Sequence, residues 1–153
     1  KLERKFSNEG EKVSQRTLRK YMDKYNWTSR AEQYDLFKAE QQARQLKEAL
    51  GDTTLKVIIE SKILEDEQKA NLVIRLENAN VDYIKTSTGF SKGGATREDI
   101  ALFAANIGPD VKMKAAGGIR SFDDAQDYLD LGCERLGTSA IVKLVKNQEV
   151  IGY

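Results

Sequence analysis

The sequence contains no histidine, one cysteine and one proline among its 153 residues. Without histidine, Ser-His-Asp and Cys-His catalysis and the common histidine-containing zinc sites are excluded. The single cysteine, Cys133, cannot form a disulfide within the chain and is typical of proteins from a reducing cytoplasm. Acid–base or nucleophilic chemistry must therefore use lysine, aspartate, glutamate, tyrosine or water.

Charge and hydropathy favour a soluble globular chain. Lysine and arginine number 25 and aspartate and glutamate 24, so a net charge of +1 gives no reason to expect nucleic-acid binding. No apolar run approaches the roughly 18 residues needed to span a bilayer, so we expect no membrane insertion. Charged residues make up 32% and hydrophobic residues 40% of the chain, a balance that suits one cytoplasmic domain with a real core.

The first 50 residues carry a helical pattern alone. Apolar residues recur at helical spacing after Ser7, which indicates one helix before an interruption at Asn26-Trp27-Thr28. Ser29 is followed three residues later by Glu32, a capping-box pattern that predicts a second helix from there to about Leu50. Its apolar residues are expected to point inward: Tyr34, Phe37, Leu46 and Leu50.

From Leu55 onward, short apolar strands alternate with capped helices. Strands are predicted at Leu55–Glu60, Val81–Lys85, Val111–Ala115 and Glu134–Gly137. Helices are predicted at about 65–78, 96–108, 121–131 and 139–146, and Thr96 and Ser121 are the predicted caps of the second and third. Such an alternation is the rhythm of a parallel sheet covered by helices. The sequence therefore predicts an α/β fold in which a helical segment, 1–50, precedes four consecutive parallel βα units in 51–153.

Two lysines stand at the predicted carboxyl ends of successive strands, where chemistry sits in parallel α/β proteins. Strand alternation puts Lys85 on the face of Tyr83, and Lys114 on the face of Lys112. If the strands pair in sequence order, Lys85, Lys114 and Glu60 converge at one end of the sheet. A second ammonium nearby lowers the pKa of a lysine and makes its amine nucleophilic. The alternative is that these lysines point to solvent and protect sheet edges.

Glycine-bearing loops follow the last three predicted strands. They contain Gly89, then Gly117 with Gly118, then Gly137 followed closely by Ser139. Glycine lets backbone N–H groups approach an anion closely, and the N-terminus of a following helix adds partial positive charge. The last two βα loops are a frequent phosphate site in barrels. The alternative is that these glycines only form tight turns.

Two strings carry a family resemblance, Lys85-Thr86-Ser87-Thr88-Gly89 and Lys114-Ala115-Ala116-Gly117-Gly118-Ile119-Arg120. In order and spacing with Leu55–Glu60 and Arg135–Ser139, they resemble the C-terminal half of deoxyribose-phosphate aldolase over about residues 55–145. The resemblance implies half of a TIM-type (β/α)8 barrel. It also implies a class I aldolase that reversibly cleaves 2-deoxyribose 5-phosphate to acetaldehyde and glyceraldehyde 3-phosphate, with no metal or cofactor.

The resemblance also implies roles for individual residues. Lys85 corresponds to the Schiff-base lysine, and Lys114 to the second lysine that keeps it unprotonated. The backbone around the glycine loops would hold the substrate phosphate, with Gly89, Gly117, Gly118, Gly137 and Ser139 as the residues concerned. The partner molecule implied is a phosphorylated aldehyde or sugar.

The chain departs from this family in carrying four strand–helix units where the family has eight. The first four strands, with the aspartate that relays protons in the family, have no counterpart. A four-strand half-barrel would leave an apolar inner face and two sheet edges open, so we expect a homo-oligomer or a complementary half-barrel as partner. The alternative function is a non-catalytic half-barrel scaffold that retains at most a phosphate site.

Overall fold

The computed structural model describes residues 20, 23–24, 27–90 and 93–146. The helix expected after Ser7 falls largely outside these ranges and stays a prediction. The chain divides into two compact units, 1–35 and 36–153. The described residues of the first unit are helical, and the second unit holds the sheet. Among the described residues, no helix is both long enough and apolar enough to cross a membrane.

Helices and strands alternate along the second unit. The first helix, α1, spans Trp27–Leu50 and therefore crosses the boundary between the units. The other elements are β1 Lys56–Ile58, α2 Asp66–Asn78, β2 Tyr83–Lys85, α3 Arg97–Ala104, β3 Lys112–Ala116, α4 Phe122–Asp130, β4 Cys133–Gly137 and α5 Ala140–Val145. A single 3₁₀ turn, Ser61–Ile63, follows β1.

The four strands form one parallel sheet in the order β1-β2-β3-β4, which confirms the predicted fold class. β1 pairs with β2 through Ile58 and Lys85, and β2 pairs with β3 through Lys85 and Lys114. Consecutive parallel strands need a crossover, and the helices supply it. Between β3 and β4 the register shifts after Met113, so that Glu134 of β4 is the extra residue of a β-bulge.

Two helices begin at the caps that the sequence predicts. The side chain of Thr96 accepts a hydrogen bond from the backbone N–H of Asp99 at 3.2 Å, at the start of α3. Ser121 and Asp124 form a capping box at the start of α4. Each cap satisfies backbone donors that have no partner within the helix. The two caps therefore determine where α3 and α4 begin, after the loops that follow β2 and β3.

The start of α1 and its buried face differ from the prediction. The helix already includes Trp27, so Ser29 lies inside it and the predicted capping box is wrong, because the N–H groups that a cap serves lie further upstream. The apolar residues expected to point inward are exposed: Tyr34 57%, Phe37 49%, Leu46 54% and Leu50 38%. Ala43, with 4% of its surface exposed, is buried instead.

Polar contacts attach α1 to the sheet and to α2. Lys47 Nζ lies 2.7 Å from Asp82 Oδ2, and the same carboxylate accepts a hydrogen bond from the N–H of Leu55 at 2.7 Å. The hydrogen bond from Lys47 lowers the pKa of Asp82. Glu40 binds Arg75 of α2 at 3.0 Å. These ion pairs determine which side of α1 faces its neighbours. The larger apolar side chains of α1 lie on its exposed side.

The core lies between the sheet and its helices. One face of the strands supplies Ile84, Met113 and Ala115, which are at most 3% exposed. The helices supply Val73, Leu76, Ile100, Phe103, Ala125 and Tyr128. Burial of these apolar side chains is the main stabilising term of the sheet–helix packing.

The opposite face of the sheet is called the inner face here. Its strand residues include Lys56, Ile58, Tyr83, Lys85, Lys112, Lys114, Glu134 and Arg135. An apolar inner face was expected, and that expectation is wrong because the alternate strand positions are mostly charged. Strand residues point to the two faces in turn, so the same strands that bury Ile84 and Met113 must present these lysines on the other side.

A buried ion pair joins the turn after β1 to α2 and α3. Asp99, in the first turn of α3, is 3% exposed and lies 2.9 Å from Lys69 Nζ. Its carboxylate also accepts a hydrogen bond from Ser61 Oγ at 2.9 Å. Burial alone would raise the pKa of Asp99, but the hydrogen bonds from Lys69 and Ser61 outweigh it and the pKa is lowered.

Replacement of Asp99 by asparagine should lower the free energy of unfolding by about 3 kcal/mol at pH 7, because Lys69 loses its buried counter-charge. The folded-state pKa of Asp99 lies below the unfolded value of about 4, so its contribution is present above that pH. The contribution disappears as the pH falls through the folded-state pKa. Urea unfolding should therefore separate wild type from Asp99→Asn clearly at pH 7 and much less under strongly acidic conditions.

Asp66→Asn is the matched control for this prediction. Asp66 binds the same lysine, Lys69, at 2.8 Å, but its side chain is 80% exposed. Its replacement should change the free energy of unfolding by less than about 1 kcal/mol, as is usual for exposed ion pairs. Equal losses for the two variants would contradict the structural role given to Asp99.

Candidate active site at the carboxyl end of the sheet

Lys85 and Lys114 are direct register partners on β2 and β3. Both are partly buried, and both lie on the inner face because the adjacent residues Ile84 and Ala115 belong to the core. Neighbouring strands run about 4.8 Å apart, so the two lysine side chains leave the backbone at adjacent positions on neighbouring strands. Lys85 ends its strand as predicted, whereas β3 continues past Lys114 to Ala116.

The pKa of Lys114 lies below its ordinary value. Burial is the largest cause, followed by the positive charges of Lys85, Lys56 and Arg135. Each of these makes a further proton on Lys114 more costly. Gly137 of β4 leaves room for the side chain, because a Cβ at that position would lie 3.3 Å from Lys114 Cε. The sheet therefore places Lys114 where burial and neighbouring positive charges disfavour its protonated form.

Two buried hydroxyls fix the backbone directly after Lys85. Ser87 Oγ donates to the carbonyl oxygen of Ala116 at 2.8 Å, and Thr86 Oγ1 accepts from the N–H of Ala116 at 3.1 Å. Both side chains are fully buried. They continue the pairing of β2 with β3 beyond the last strand residue. Sequence analysis did not assign Thr86 and Ser87 a role, although hydroxyls directly after a strand were the available signal.

Glu60 lies just beyond the end of β1, in the left-handed conformation with φ of 50°. Its carboxylate accepts hydrogen bonds from the N–H of Thr88, at 3.1 Å, and from the Thr88 hydroxyl. Glu60 was expected to converge with the two lysines at this end of the sheet. The structure places its carboxylate against the loop after β2, at the same end of the sheet, where it ties the first loop to the second.

Three glycines let the loops at this end of the sheet approach closely. Gly117 and Gly118 have φ values of 77° and 76°, a left-handed conformation that favours glycine. A Cβ on Gly94 would lie 2.2 Å from the carbonyl carbon of Gly117, so no larger residue fits there without a backbone shift. The N–H of Gly117 also donates to the carbonyl oxygen of Gly137 at 3.0 Å. The role of Gly94 was not anticipated.

Thr138 joins the last two βα loops. Its hydroxyl donates to the carbonyl oxygen of Ile119 at 2.8 Å and accepts from the N–H of Ile141 at 3.3 Å. Ser139, the residue next to α5, makes no side-chain capping bond. Thr138 therefore serves both as the cap of α5 and as the link between the loops. Threonine before a helix is a typical capping signal, but sequence analysis did not use it here.

The structure brings four of the five predicted phosphate residues to one region. Gly117 and Gly137 are hydrogen-bonded neighbours, Gly118 follows the first of them, and Ser139 follows the second by two residues. Gly89 lies in the exposed loop after β2, with φ of 98°. Within the described ranges, no hydrogen bond joins Gly89 to the other glycine loops. The last two βα loops thus form one backbone surface, with Gly89 on a separate loop.

A second group of charges surrounds Tyr83 on the inner face and is called the Tyr83 cluster: Tyr83, Lys56, Lys112, Glu134 and Arg135. Lys56 Nζ, Lys112 Nζ and Arg135 Cζ lie 5.5, 5.9 and 4.8 Å from the ring centroid. The Tyr83 hydroxyl donates to Glu134 at 2.5 Å, and Lys112 Nζ lies 2.7 Å from the same carboxylate. The hydrogen bond to Glu134 raises the pKa of Tyr83. Four strands contribute these residues, so sequence analysis could not assemble the cluster.

Comparison with known proteins shows which proteins have similar strands and loops. No family model matches the sequence. Over 116 residues, 76% of this chain, the sequence is 50% identical to the deoxyribose-phosphate aldolase of Clostridium botulinum strain Eklund 17B. Over 123 residues, 80% of this chain, it is 44% identical to the deoxyribose-phosphate aldolase of Streptococcus sanguinis. Over about three quarters of its length, this chain is similar to deoxyribose-phosphate aldolases.

The match to deoxyribose-phosphate aldolase extends to the fold but not to the full length. A solved deoxyribose-phosphate aldolase from Aeropyrum pernix, described as tetrameric, superposes with a TM-score of 0.60 and 30% identity over 71% of this chain and 47% of that chain. This chain covers 52% of the Clostridium enzyme and 55% of the Streptococcus enzyme. It therefore spans about half the length of the curated aldolases it matches.

Replacement of Thr138 by valine should weaken the connection between the two loops of this aldolase-like chain. The variant loses one hydrogen bond to Ile119 and the capping acceptor for Ile141 while keeping a similar shape. We expect the free energy of unfolding, measured with urea, to fall by about 1–2 kcal/mol. Hydrogen exchange should also quicken at the amides of α5.

Ser139→Ala is the matched control, because the neighbouring hydroxyl makes no capping bond. Its effect on the free energy of unfolding should stay within about 0.5 kcal/mol. A loss for Ser139→Ala as large as that for Thr138→Val would show that the Thr138 bridge is not what holds the loops.

Proposed function

We propose that this chain supplies the lysine pair and the phosphate loops of a class I aldolase that acts reversibly on 2-deoxyribose 5-phosphate. The observation that carries the proposal is the register pairing of Lys85 with Lys114, both partly buried on the inner face. A solvated edge lysine would have neither this burial nor this like-charged neighbour. The relationship to deoxyribose-phosphate aldolases supports the same chemistry.

In the proposed reaction the neutral amine of Lys85 attacks the carbonyl carbon of an aldehyde. The resulting carbinolamine loses water and becomes an iminium ion on Lys85. During cleavage the electron pair of the bond between the α and β carbons moves into the iminium to give the enamine, while the β-hydroxyl gives its proton to water and becomes the carbonyl of the released aldehyde. In the reverse direction the iminium loses its α proton to water, and the resulting enamine forms that bond. Lys114 is proposed to contribute as the second lysine of the pair, which lies beside Lys85 as its register partner.

The phosphate of the substrate is proposed to bind at the last two βα loops. The hydrogen bond between Gly117 and Gly137 and the Thr138 bridge to Ile119 hold these backbones together without a ligand. Glycine at 117 and 118 keeps the backbone accessible, so that N–H groups can approach the anion. Ser139 adds a hydroxyl beside them.

Full turnover is proposed only for a completed barrel, since the chain spans about half of its relatives' length. By itself the chain is proposed to form the imine and to bind the anion. A non-catalytic scaffold that binds phosphate is the second candidate, because the hydrogen bond between Gly117 and Gly137 forms the loop surface without any contribution from the lysines. The cytoplasmic location and the homo-oligomer expected from the sequence stay predictions.

Reductive trapping tests the lysine pair. Incubation of the full chain with acetaldehyde and borohydride should add one ethyl group to Lys85, detected by peptide mass spectrometry, and Lys85→Leu should abolish that adduct. Lys114→Leu should slow trapping at neutral pH, because one neighbouring positive charge is lost.

Lys112→Leu is the matched control for Lys114→Leu. Lys112 lies on the same strand and the same face but is bound to Glu134 at 2.7 Å. Its trapping rate and pH profile should follow wild type closely. An undiminished adduct in Lys85→Leu would place the reactive amine elsewhere, and an unchanged pH profile in Lys114→Leu would remove the role given to that charge.

Titration with inorganic phosphate, followed by amide NMR, tests the anion site. Amides of residues 117–119 and 137–139 should shift at millimolar phosphate, while those of α2 serve as an internal comparison. Ser139→Ala should weaken phosphate binding without loss of stability. If the amide chemical shifts of neither loop change, the anion site is not formed and the phosphate part of the proposal fails.

A further inference from the structure

Tyr83 is a buried ring beneath charged side chains on the inner face, and the proposed chemistry gives it no role. The residue is 5% exposed. Lys56 Nζ lies 5.5 Å and Arg135 Cζ lies 4.8 Å from the centroid of its ring. A cation within about 6 Å of an aromatic centroid is attracted to the electrons of the ring face. The ring therefore holds one cation from β1 and one from β4.

The same two cations are close to the lysine pair. Arg135 is the register partner of Lys114 on one side, as Lys85 is on the other. Lys56 is the register partner of Tyr83 itself. Apart from burial, the charges that lower the pKa of Lys114 are those of its partner Lys85 and of these two cations. The residues that the ring gathers thus act on the side chain of the neighbouring strand.

The bulge in β4 decides which charge faces Lys114. Met113 pairs with Cys133, and the next pair is Lys114 with Arg135, so the residue between them is skipped. Without the bulge, Glu134 would be the partner of Lys114, and Arg135 would be turned towards the core. A carboxylate at that position would favour the charged form of the lysine. The bulge therefore sets a guanidinium beside Lys114 where a regular strand would set a carboxylate.

The skipped carboxylate is bound within the Tyr83 cluster. Glu134 accepts a hydrogen bond from the Tyr83 hydroxyl at 2.5 Å and lies 2.7 Å from Lys112 Nζ. The hydrogen bonds from Lys112 and Tyr83 lower the pKa of Glu134, and the bond to Glu134 raises the pKa of Tyr83. At neutral pH the carboxylate is therefore ionised and compensated by Lys112, and the phenol is protonated.

We propose that Tyr83 is a positioning residue for the lysine pair, whose ring holds two cations beside Lys114. Their positive charges disfavour a proton on that lysine, so its amine is neutral at a lower pH than that of a solvated lysine. In the described part of the chain, the strands present these charged groups around it on the inner face: Lys56, Lys85, Lys112, Glu134 and Arg135. The inference deepens the proposed function, because it concerns the second lysine of the same pair, and it is tested on that lysine directly.

NMR titration of the full chain, with ¹³C at the lysine ε carbons, measures the protonation of Lys114. The signal is assigned by its absence in Lys114→Arg. Arg135→Gln should move the titration midpoint of Lys114 upward, because a neighbouring positive charge is lost. Tyr83→Leu should do the same, because the side chain no longer attracts the cations. Arg135→Lys should stay closer to wild type than Arg135→Gln, because it keeps the charge.

Two matched controls separate the ring and its cations from the rest of the cluster. Tyr83→Phe keeps the ring and loses only the hydroxyl, so the midpoint of Lys114 should stay at the wild-type value. Lys112→Leu removes a cation of the same strand and face whose charge is compensated by Glu134, so it should move the midpoint less than Arg135→Gln does.

The double variant Lys56→Gln/Arg135→Gln keeps the test decisive if Tyr83→Leu does not fold. Both replaced side chains are exposed, so its thermal melt should match that of wild type. It should move the midpoint of Lys114 upward by more than Arg135→Gln alone. The difference from wild type should shrink between about 50 mM and about 500 mM salt, since exposed charges are screened.

Two results would overturn the inference. They are a wild-type midpoint for Lys114 in the double variant, and an upward shift in Tyr83→Phe as large as that in Tyr83→Leu. The expected shifts at Lys114 without borohydride trapping at Lys85 would leave the inference intact and remove only the proposed function. Trapping at Lys85 with the same Lys114 midpoint in every variant would do the reverse.

Discussion

The parallel register of β2 against β3 is the constraint on which the rest of the site depends. It sets Lys85 beside Lys114 and leaves the core-facing residues Ile84 and Met113 paired on the other side. A shift by one residue would turn the lysines into the core and the apolar residues out. Packing of the core therefore determines which two lysines lie side by side. The proposed imine chemistry depends on that pairing.

That pairing has an electrostatic cost, and neighbouring groups keep it in place. Two ammonium groups on adjacent strands repel each other, and burial disfavours the charge of Lys114 further. The buried hydroxyls of Thr86 and Ser87 hold the end of β2 against β3, so the strands cannot separate to relieve the repulsion. The uncharged hydrogen bonds thus fix the backbone that holds the two lysines side by side despite their repulsion.

The loops illustrate how close backbone approach creates a site that composition alone does not reveal. Gly94 and Gly117 lie so close that neither loop tolerates an ordinary side chain at the point of contact. Thr138 then joins the two last loops through one hydroxyl. These contacts connect segments more than 15 residues apart, so sequence spacing identifies each loop but not the contact between them.

The sequence by itself determined the four strands, the caps at Thr96 and Ser121 and the two lysines near the ends of successive strands, whereas the order in which the strands pair came from the structure. Strand alternation and helix capping depend on residues that are close together in the sequence, so they are recognisable without the tertiary structure. The helix start near Trp27 and the exposed apolar face of α1 were not predicted, since ion pairs with distant residues decide how that helix packs. The charged inner face, the position of Glu60 on Thr88 and the Tyr83 cluster were decided by the tertiary structure alone, because each brings together side chains from separate strands and loops.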